Sequence, residues 1–253
     1  MREPWRERVS PPRALFLLTA LLVLGCGAVE PSDVVADAGR QTDAASQGLL
    51  DAGAVHVAPD GGWIDSCGRP RPDKFADTVV SFMPGTSAGF GKDKFPCNVL
   101  GPPLGGGPNA GSLDVHSLGY EGTIVLRFDD VDLFDGPGPD LLVFENPFSG
   151  WIEPGFVAVS DDGETWAEWP CEPQNVDGGY PHCAGVHPVL SNPANGIDPT
   201  DPAVAGGDAF DFAEIGVTRA RYVRIRDSGW SHYGGIAGGF DLDALAAVHS
   251  VPR

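Results

Sequence analysis

An acid-rich stretch around a Gly/Pro turn offers the clearest chemistry in the chain, reading DGPGPDLLVFEN at 135–146. The turn exposes backbone carbonyls, and side-chain oxygens are added by Asp135, Asp140, Glu145 and Asn146. Calcium binds six to eight oxygen ligands at flexible angles, and this mixture can supply several of them. The alternative is that Asp135 and Asp140 only cap a tight turn.

Later acidic positions strengthen the calcium interpretation. The segments GGDAFD and FDLD both come at Gly-rich loops and contribute Asp208, Asp211, Asp241 and Asp243. Loops that are distant in sequence meet at one end of a β-sandwich. We therefore expect one structural calcium whose ligands begin at Asp135 and are completed by these residues.

Known calcium motifs fit this region only in part. The segment DVDLFDG at 130–136 is similar to an EF-hand loop, but its third Asp comes one position late and Leu141 stands where the closing Glu is required. GPGPDLL at 136–142 resembles one calcium-binding nonapeptide of the β-roll toxins, whose sites need stacked repeats. The loop chemistry suits calcium, whereas neither architecture is expected.

The start of the chain predicts export. Four Arg precede an 11-residue apolar run, ALFLLTALLVL, which is too short to span a bilayer. The run leads into VLGC at 23–26, which resembles the bacterial lipobox and implies that Cys26 is lipidated. An ordinary signal peptide with a chance cysteine is the alternative. Gly27 stands where an Asp would resemble an inner-membrane retention signal, so the outer membrane or cell surface is expected.

The other four cysteines predict two disulfides in an oxidising compartment. Three connectivities are possible, and we favour the local pairs Cys67–Cys97 and Cys171–Cys183. Each would close a loop of roughly 10–30 residues and stabilise the fold by about 3 kcal/mol. A zinc site is not indicated because no C-x-x-C pair occurs.

These features divide the chain into three parts: a signal peptide at 1–25, a lipid-anchored flexible tether at 26–62 and a folded domain at 63–253. The tether is rich in Ala, Asp, Gly, Ser and Gln and has too few large apolar residues to offset its ordering entropy. The net charge of −19 argues against nucleic acid as a partner, because phosphates would be repelled.

The folded part is predicted to be all-β, a single jelly-roll-like sandwich with long loops. Its apolar runs are short and separated by Gly, Pro, Asp and Asn, and 35 Gly and 24 Pro leave little room for long helices. Strands are expected at 78–82, 122–128, 141–145, 156–160, 222–226 and 242–248, with weaker candidates at 113–116 and 165–168.

Two segments resemble the discoidin-like (F5/8 type C, galactose-binding-like) domains. VAVSDDGETW at 157–166 is similar to the family's Asp-Gly hairpin with Trp166 packed inward, and ARYVRI at 220–225 is similar to the strand that follows. The likeness covers about 155–250. It implies a jelly roll that binds glycans, lipids or proteins through end loops, often with a structural calcium. Segments within 98–250 also resemble a broad group of bacterial and archaeal cell-surface proteins that carries no assigned activity.

Loop aromatic residues are the candidate ligand contacts. Exposed rings form platforms for sugars, and neighbouring polar groups can fix the hydroxyls. The expected contacts are Trp151, Arg226, Asp227, Trp230, His232 and Tyr233. The alternative is that these rings cover the ends of the sandwich.

Catalysis is not expected. GTSAG at 85–89 matches the nucleophile-elbow pattern, which works only between a strand and a helix, and the sequence after it is poor helix material. The sequence therefore predicts a calcium-stabilised binding module on the cell surface, with a glycan or a surface protein as its partner. A structural or adhesive envelope protein without a small ligand is the first alternative, and a hydrolase of unrecognised type is the second.

Overall fold

The computed structural model describes residues 56–57, 62–148, 150–231 and 238–253. The predicted signal peptide, the lipidation residue Cys26 and most of the tether lie outside the described residues, as do His232 and Tyr233. The chain from Ala52 to Arg253 forms one compact unit.

Sixteen short strands and one 3-10 turn make up the regular structure of the described residues. In chain order they are β1 His56–Val57, β2 Trp63–Ile64, β3 Pro70–Arg71, β4 Thr78–Met83, β5 His116–Ser117, β6 Thr123–Arg127, β7 Val131–Phe134, β8 Leu141–Phe144, β9 Gly155–Ser160, β10 Ala167–Glu168, β11 Asp208–Phe210, the turn Phe212–Ile215, β12 Arg219–Ala220, β13 Tyr222–Asp227, β14 Asp241–Leu242, β15 Ala244–Ala247 and β16 Ser250–Pro252. All strand pairs are antiparallel. The expected all-β sandwich is therefore confirmed.

Two sheets form the main layers. The larger has the order β10-β9-β13-β6-β4 and the smaller has the order β11-β8-β15. Strand β13 alternates half-buried and buried residues, so Val223 and Ile225 point into the protein. They share one core with Leu141 and Val143 of β8, which joins the two layers.

Strand β8 is buried on both faces, because a second apolar cluster covers its other side. This cluster contains Leu142 and Phe144 of β8 together with Val189 and Ala205, which lie between β10 and β11. A strand covered on both faces reads as a continuous apolar run, which is the pattern LLVF.

The strand predictions were correct wherever an apolar run is long. The expected strand 242–248 is instead two strands, since β14 pairs with β5 whereas β15 pairs with β8. Strands β7, β11, β12 and β16 were not predicted, because they are short and contain polar or isolated apolar residues. The inward position of Trp166 was wrong: Trp166 is only half-buried, and Trp169 is the tryptophan in the core.

Both expected disulfides are present, Cys67–Cys97 and Cys171–Cys183. The first closes a loop that contains β3 and β4, and the second closes a shorter loop without strands. No helix within the described ranges has the length and apolar character needed to cross a membrane.

A buried histidine lies beside the first disulfide loop. His116 of β5 is 2% exposed, and its ring lies 4.9 Å from that of Phe82 and 4.3 Å from that of Phe95. Neither ring nitrogen makes a hydrogen bond of ordinary geometry with another described residue. Burial lowers the pKa of His116, and the Gly91 carbonyl opposes this only in part. The fold therefore holds this imidazole in its neutral form.

Acid should destabilise the protein through His116. A histidine whose pKa is lowered by folding contributes stability above its unfolded pKa of about 6.5, and this stability is lost as pH falls towards the folded pKa. His116→Leu should remove up to about 1.4 kcal/mol per pH unit of that dependence in urea unfolding between about pH 7.5 and pH 5.5. Phe82→Leu, which disturbs the same cluster but keeps the imidazole, should retain the dependence. Equal pH slopes for wild type and His116→Leu would contradict this assignment.

Candidate metal centre

Three groups of carboxylates converge within the described residues. In each group the oxygens of three residues lie within 4.8 Å of one another. The groups are Asp73 with Asp77 and Asp130, Asp135 with Asp140 and Asp211, and Glu145 with Glu153 and Asp241. They differ in what balances their negative charge.

An arginine occupies the first group. The Arg71 side chain is fully buried, and one guanidinium nitrogen forms ion pairs with Asp77 and, at 2.6 Å, with Asp73. The same nitrogen is 3.8 Å from Asp130, and the other terminal nitrogen lies 2.9 Å from Asp65. Burial lowers the pKa of Arg71, but the charges of Asp73 and Asp77 outweigh it and raise that pKa above its ordinary value. This group already contains its cation.

Sequence reasoning missed the Arg71 cluster. A signal was present, because Arg69 and Arg71 lie in a run that has Asp65 before it and Asp73 and Asp77 after it. The run pointed to a local charge network, whereas the burial of Arg71 depends on packing that the run does not reveal.

Protein hydrogen bonds satisfy Asp140 and Asp211 of the second group, and its third member, Asp135, is exposed. Asp140 is fully buried, and its carboxylate accepts hydrogen bonds from the backbone N–H groups of Gly136 and Phe212, both at 2.8 Å. Its third partner is the His249 ring at 2.8 Å. Asp211 caps the 3-10 turn by accepting from the Ala213 N–H at 2.9 Å. Asp140 therefore caps the turn, as the alternative to calcium binding predicted for it.

The third group is the most buried, and its members Glu145 and Asp241 have no cationic partner among the described residues. Glu145 directly follows β8, Glu153 precedes β9, and Asp241 begins β14. Glu145 is 2% exposed and Glu153 is 9% exposed. Glu145 accepts a hydrogen bond from the Asp241 N–H at 3.0 Å, and no described Lys, Arg or His forms an ion pair with Glu145 or Asp241.

Proton affinities in the third group reflect its burial. Burial, and then the charges of Asp241 and Glu153, raise the pKa of Glu145 well above its ordinary value. Burial also raises the pKa of Asp241 to about 6, although the Ser117 and Asn146 side chains partly offset it. Its Oδ1 atom is buried and makes no hydrogen bond of ordinary geometry with a described residue. A bound cation would satisfy this atom and allow the carboxylates to ionise together.

The ligand types favour a hard divalent cation. Three carboxylates offer up to six oxygens, and calcium accepts such ligands in irregular arrangements. Magnesium demands near-octahedral geometry and usually retains several waters, which suits a buried pocket less well. We therefore regard Glu145, Glu153 and Asp241 as the candidate calcium ligands of the described residues.

The remaining predicted ligands stabilise loops, and Asn146 does so beside the candidate site, where its side chain also contacts Asp241. Asn146 exchanges hydrogen bonds with the Ser112 backbone. Asp208 accepts from the backbone N–H groups of Gly185 at 2.7 Å and Val186 at 3.0 Å and contacts the His187 ring at 2.7 Å.

Asp243 holds a loop that is distant in the sequence. Both of its oxygens accept from the Leu104 N–H at 3.1 Å, and burial raises its pKa to about 8. The predicted ligands thus do not gather into one site: Asp135, Asp140 and Asp211 form one group, and Glu145 and Asp241 belong to another.

The predicted glycan contacts also do not all lie on one surface. Strand alternation puts Arg226 and Asp227 on opposite faces of β13. Asp227 is 2% exposed and accepts from the backbone N–H groups of Glu121, Gly229 and Phe240 at 2.7–2.9 Å. Asp227 therefore positions the loop between β13 and β14 from inside the protein.

That loop also needs glycine next to Asp227. Gly239 has a φ of +65°, and a Cβ there would lie 2.7 Å from the Asp227 carboxylate. Any side chain would push the loop away from its anchor, just before Asp241.

Each loop tryptophan lies in a segment that leads to a candidate ligand. Trp151 is 45% exposed, its ring is 5.8 Å from that of Phe148, and Glu153 follows two residues later. Trp230 is half-buried with its ring 5.5 Å from that of Tyr180, in the loop that leads to Asp241. A cation held by Glu153 and Asp241 would restrain both tryptophan-bearing loops.

The serine of the GTSAG pattern lies in a turn. Ser87 is exposed with a φ of +66°, a conformation unusual for a residue other than glycine. The described residues after it form turns up to β5, so the helix that a nucleophile elbow requires does not follow. The absence of catalysis stays a prediction.

Loss of Arg71 should destabilise the fold strongly. Arg71→Met would leave several carboxylates without their buried counter-charge, and we expect the free energy of unfolding to fall by about 3–5 kcal/mol. Lys94→Met, which removes an exposed ion pair with Asp114, should change it far less, because such pairs are screened by solvent. Urea unfolding at neutral pH measures both, and a similar small loss for the two variants would contradict the role of Arg71.

No family model matches this chain, and no curated protein or solved structure matches it. The discoidin-like resemblance therefore stays a prediction. Function has to be inferred from the geometry of the site itself.

Proposed function

We propose that this chain is a lipid-anchored, extracytoplasmic binding module whose loop end is held by calcium and takes a carbohydrate ligand. The observation that carries the proposal is the buried group formed by Glu145, Glu153 and Asp241. Two of its members belong to segments that carry tryptophans. The proposal therefore links a metal, two loops and a recognition surface.

Extracytoplasmic location is supported by the cysteines. Two disulfides within the folded domain fit an oxidising compartment. The lipobox-like segment ending at Cys26 supplies the membrane anchor in this proposal. The 36 residues from Gly27 to Gly62 would let the sandwich reach ligands away from the membrane surface.

Calcium has a defined task in this proposal. Ionised Glu145 is unfavourable in the apo protein because it is buried beside two other carboxylates. The cation would offset most of the negative charge of the group and connect the segment before β9 to the start of β14. Ordering these connections before the ligand arrives would reduce the entropy lost on binding.

Carbohydrate is the ligand class that the loop chemistry favours. Trp151 offers an exposed ring, and Trp230 is half-buried in a second loop, the one that precedes β14. An aromatic platform with adjacent polar groups suits a sugar ring and its hydroxyls. A structural or adhesive envelope protein would use the same calcium without a sugar, so glycan binding distinguishes the two.

Calcium should stabilise the mature protein. At about 100 times its Kd, calcium should raise the free energy of unfolding by about 2.7 kcal/mol, and a chelator should reverse this. Glu145→Gln keeps the side-chain shape but removes a ligand charge, so most of the gain should disappear. Asp135→Asn, at the exposed member of the second group, should keep it. Equal calcium responses in the two variants, or none in wild type, would contradict the site.

The calcium-free protein provides a pH test of the same group. A carboxyl group whose pKa is raised by folding contributes stability below its unfolded pKa of about 4.3, and this is lost as pH rises through the folded pKa. Without calcium, wild type should therefore lose stability relative to Glu145→Gln as pH rises above about 4.3, and this difference isolates Glu145 from His116 and other titrating groups. An equal dependence of the unfolding free energy on pH in the two proteins would show that Glu145 does not cause it.

Glycan binding should depend on the loop tryptophans. On a glycan array with calcium present, Trp151→Ala and Trp230→Ala should each weaken binding by roughly tenfold or more, since stacking and ring burial are lost. Trp63→Ala, whose ring is 37% exposed on β2, is the matched control and should bind as wild type does. Calcium-dependent stability without any glycan binding would favour the structural envelope protein.

A further inference from the structure

The outward face of the five-stranded sheet has an unusual composition. Strand β13 points Tyr222, Arg224 and Arg226 outward while Val223 and Ile225 enter the core. In a chain with 35 acidic and 16 basic residues, two adjacent outward positions on one central strand are arginine. This face is defined by Phe156, Trp166, Glu168, Arg224 and Arg226 and is called the arginine face below.

Aromatic rings hold both guanidinium groups in place. The Cζ atom of Arg224 lies 4.7 Å from the centre of the Trp166 ring. The Cζ atom of Arg226 lies 4.0 Å from that of Phe156, which is its direct neighbour across β13 and β9. Such stacking favours planar, oriented guanidinium groups and leaves their N–H groups to bind anions.

A single carboxylate bridges the two arginines. Glu168 lies 3.4 Å from Arg224 and 3.3 Å from Arg226, with all three side chains 30–41% exposed. Exposed ion pairs of this length contribute little stability and exchange readily. Glu168 shows that the two guanidinium groups can bind one carboxylate between them. The carboxylate of a ligand could replace that of Glu168.

We propose that the arginine face binds a carboxylate-bearing glycan, such as a polymer containing uronic acids. The overall charge repels such a chain from most of the surface, so the stacked arginines give it one favourable docking position. An open sheet face suits an extended polymer, and planar guanidinium groups suit repeated carboxylates. The proposal adds a second surface that does not depend on the calcium centre.

The test uses the mature chain and a hyaluronan oligosaccharide, in which uronic acids alternate with neutral sugars. Binding should be measured by calorimetry with calcium and with chelator, and it should persist in both. Arg224→Gln with Arg226→Gln should weaken it by roughly tenfold or more, because charge-assisted hydrogen bonds are lost. Glu168→Gln should strengthen binding, since it removes the internal competitor.

Three controls make the test specific. The same oligosaccharide with its carboxylates reduced to alcohols should not bind. Lys92→Gln with Lys94→Gln removes two positive charges elsewhere and should leave affinity nearly unchanged. Arg224→Lys with Arg226→Lys keeps the charge but loses the planar fork, so affinity should fall. Unfolding curves confirm that each variant remains folded.

Several outcomes would overturn the proposal. Binding of the reduced oligosaccharide, or full affinity in the lysine variant, would show that paired carboxylate recognition is absent. Binding to phosphatidylglycerol vesicles but not to hyaluronan, with the same dependence on Arg224 and Arg226, would assign the face to a membrane. Loss of hyaluronan binding only on chelation would place that ligand at the calcium-dependent loops instead.

Discussion

Buried carboxylates determine how this protein holds together, because its long Gly- and Pro-rich loops expose backbone N–H groups that have no strand partner. Buried N–H groups need acceptors, and an ionised carboxylate is a strong one. Asp140, Asp208 and Asp227 each accept at least two backbone N–H groups from segments outside their own strand. The loops are thus attached to the core by side chains, where a sheet-rich protein with short connections would use strand pairing.

The same constraint explains why one acidic group differs from the others. Asp140 has enough donors, and Arg71 supplies a buried cation to its own neighbours. Glu145 and Asp241 lack both among the described residues, and folding raises the pKa values of the two side chains. A buried negative charge must be protonated, paired or bound to a metal. The proposed calcium site and the dependence of stability on pH are therefore two consequences of one arrangement.

Charge also separates the two proposed recognition surfaces. The loop end combines aromatic rings with a site for a cation, whereas the arginine face combines aromatic rings with fixed cations. An acidic glycan on the sheet would be attracted by the charge of the arginines, whereas a neutral glycan at the loops would not. Binding to the sheet face should weaken with salt, because exposed charges are screened.

Sequence by itself determined the features that depend on neighbours in the chain: the all-β class, most long strands and the two local disulfides. Tertiary structure decided which carboxylates meet, because Glu145 and Asp241 are 96 residues apart and converge only through strand pairing and loop packing. It also decided their roles: Asp227 faces inward although Arg226 beside it faces outward, and Asp243 lies where the chain changes from one sheet to another. Residue type limits what a side chain can bind, whereas burial and long-range partners determine what it does bind.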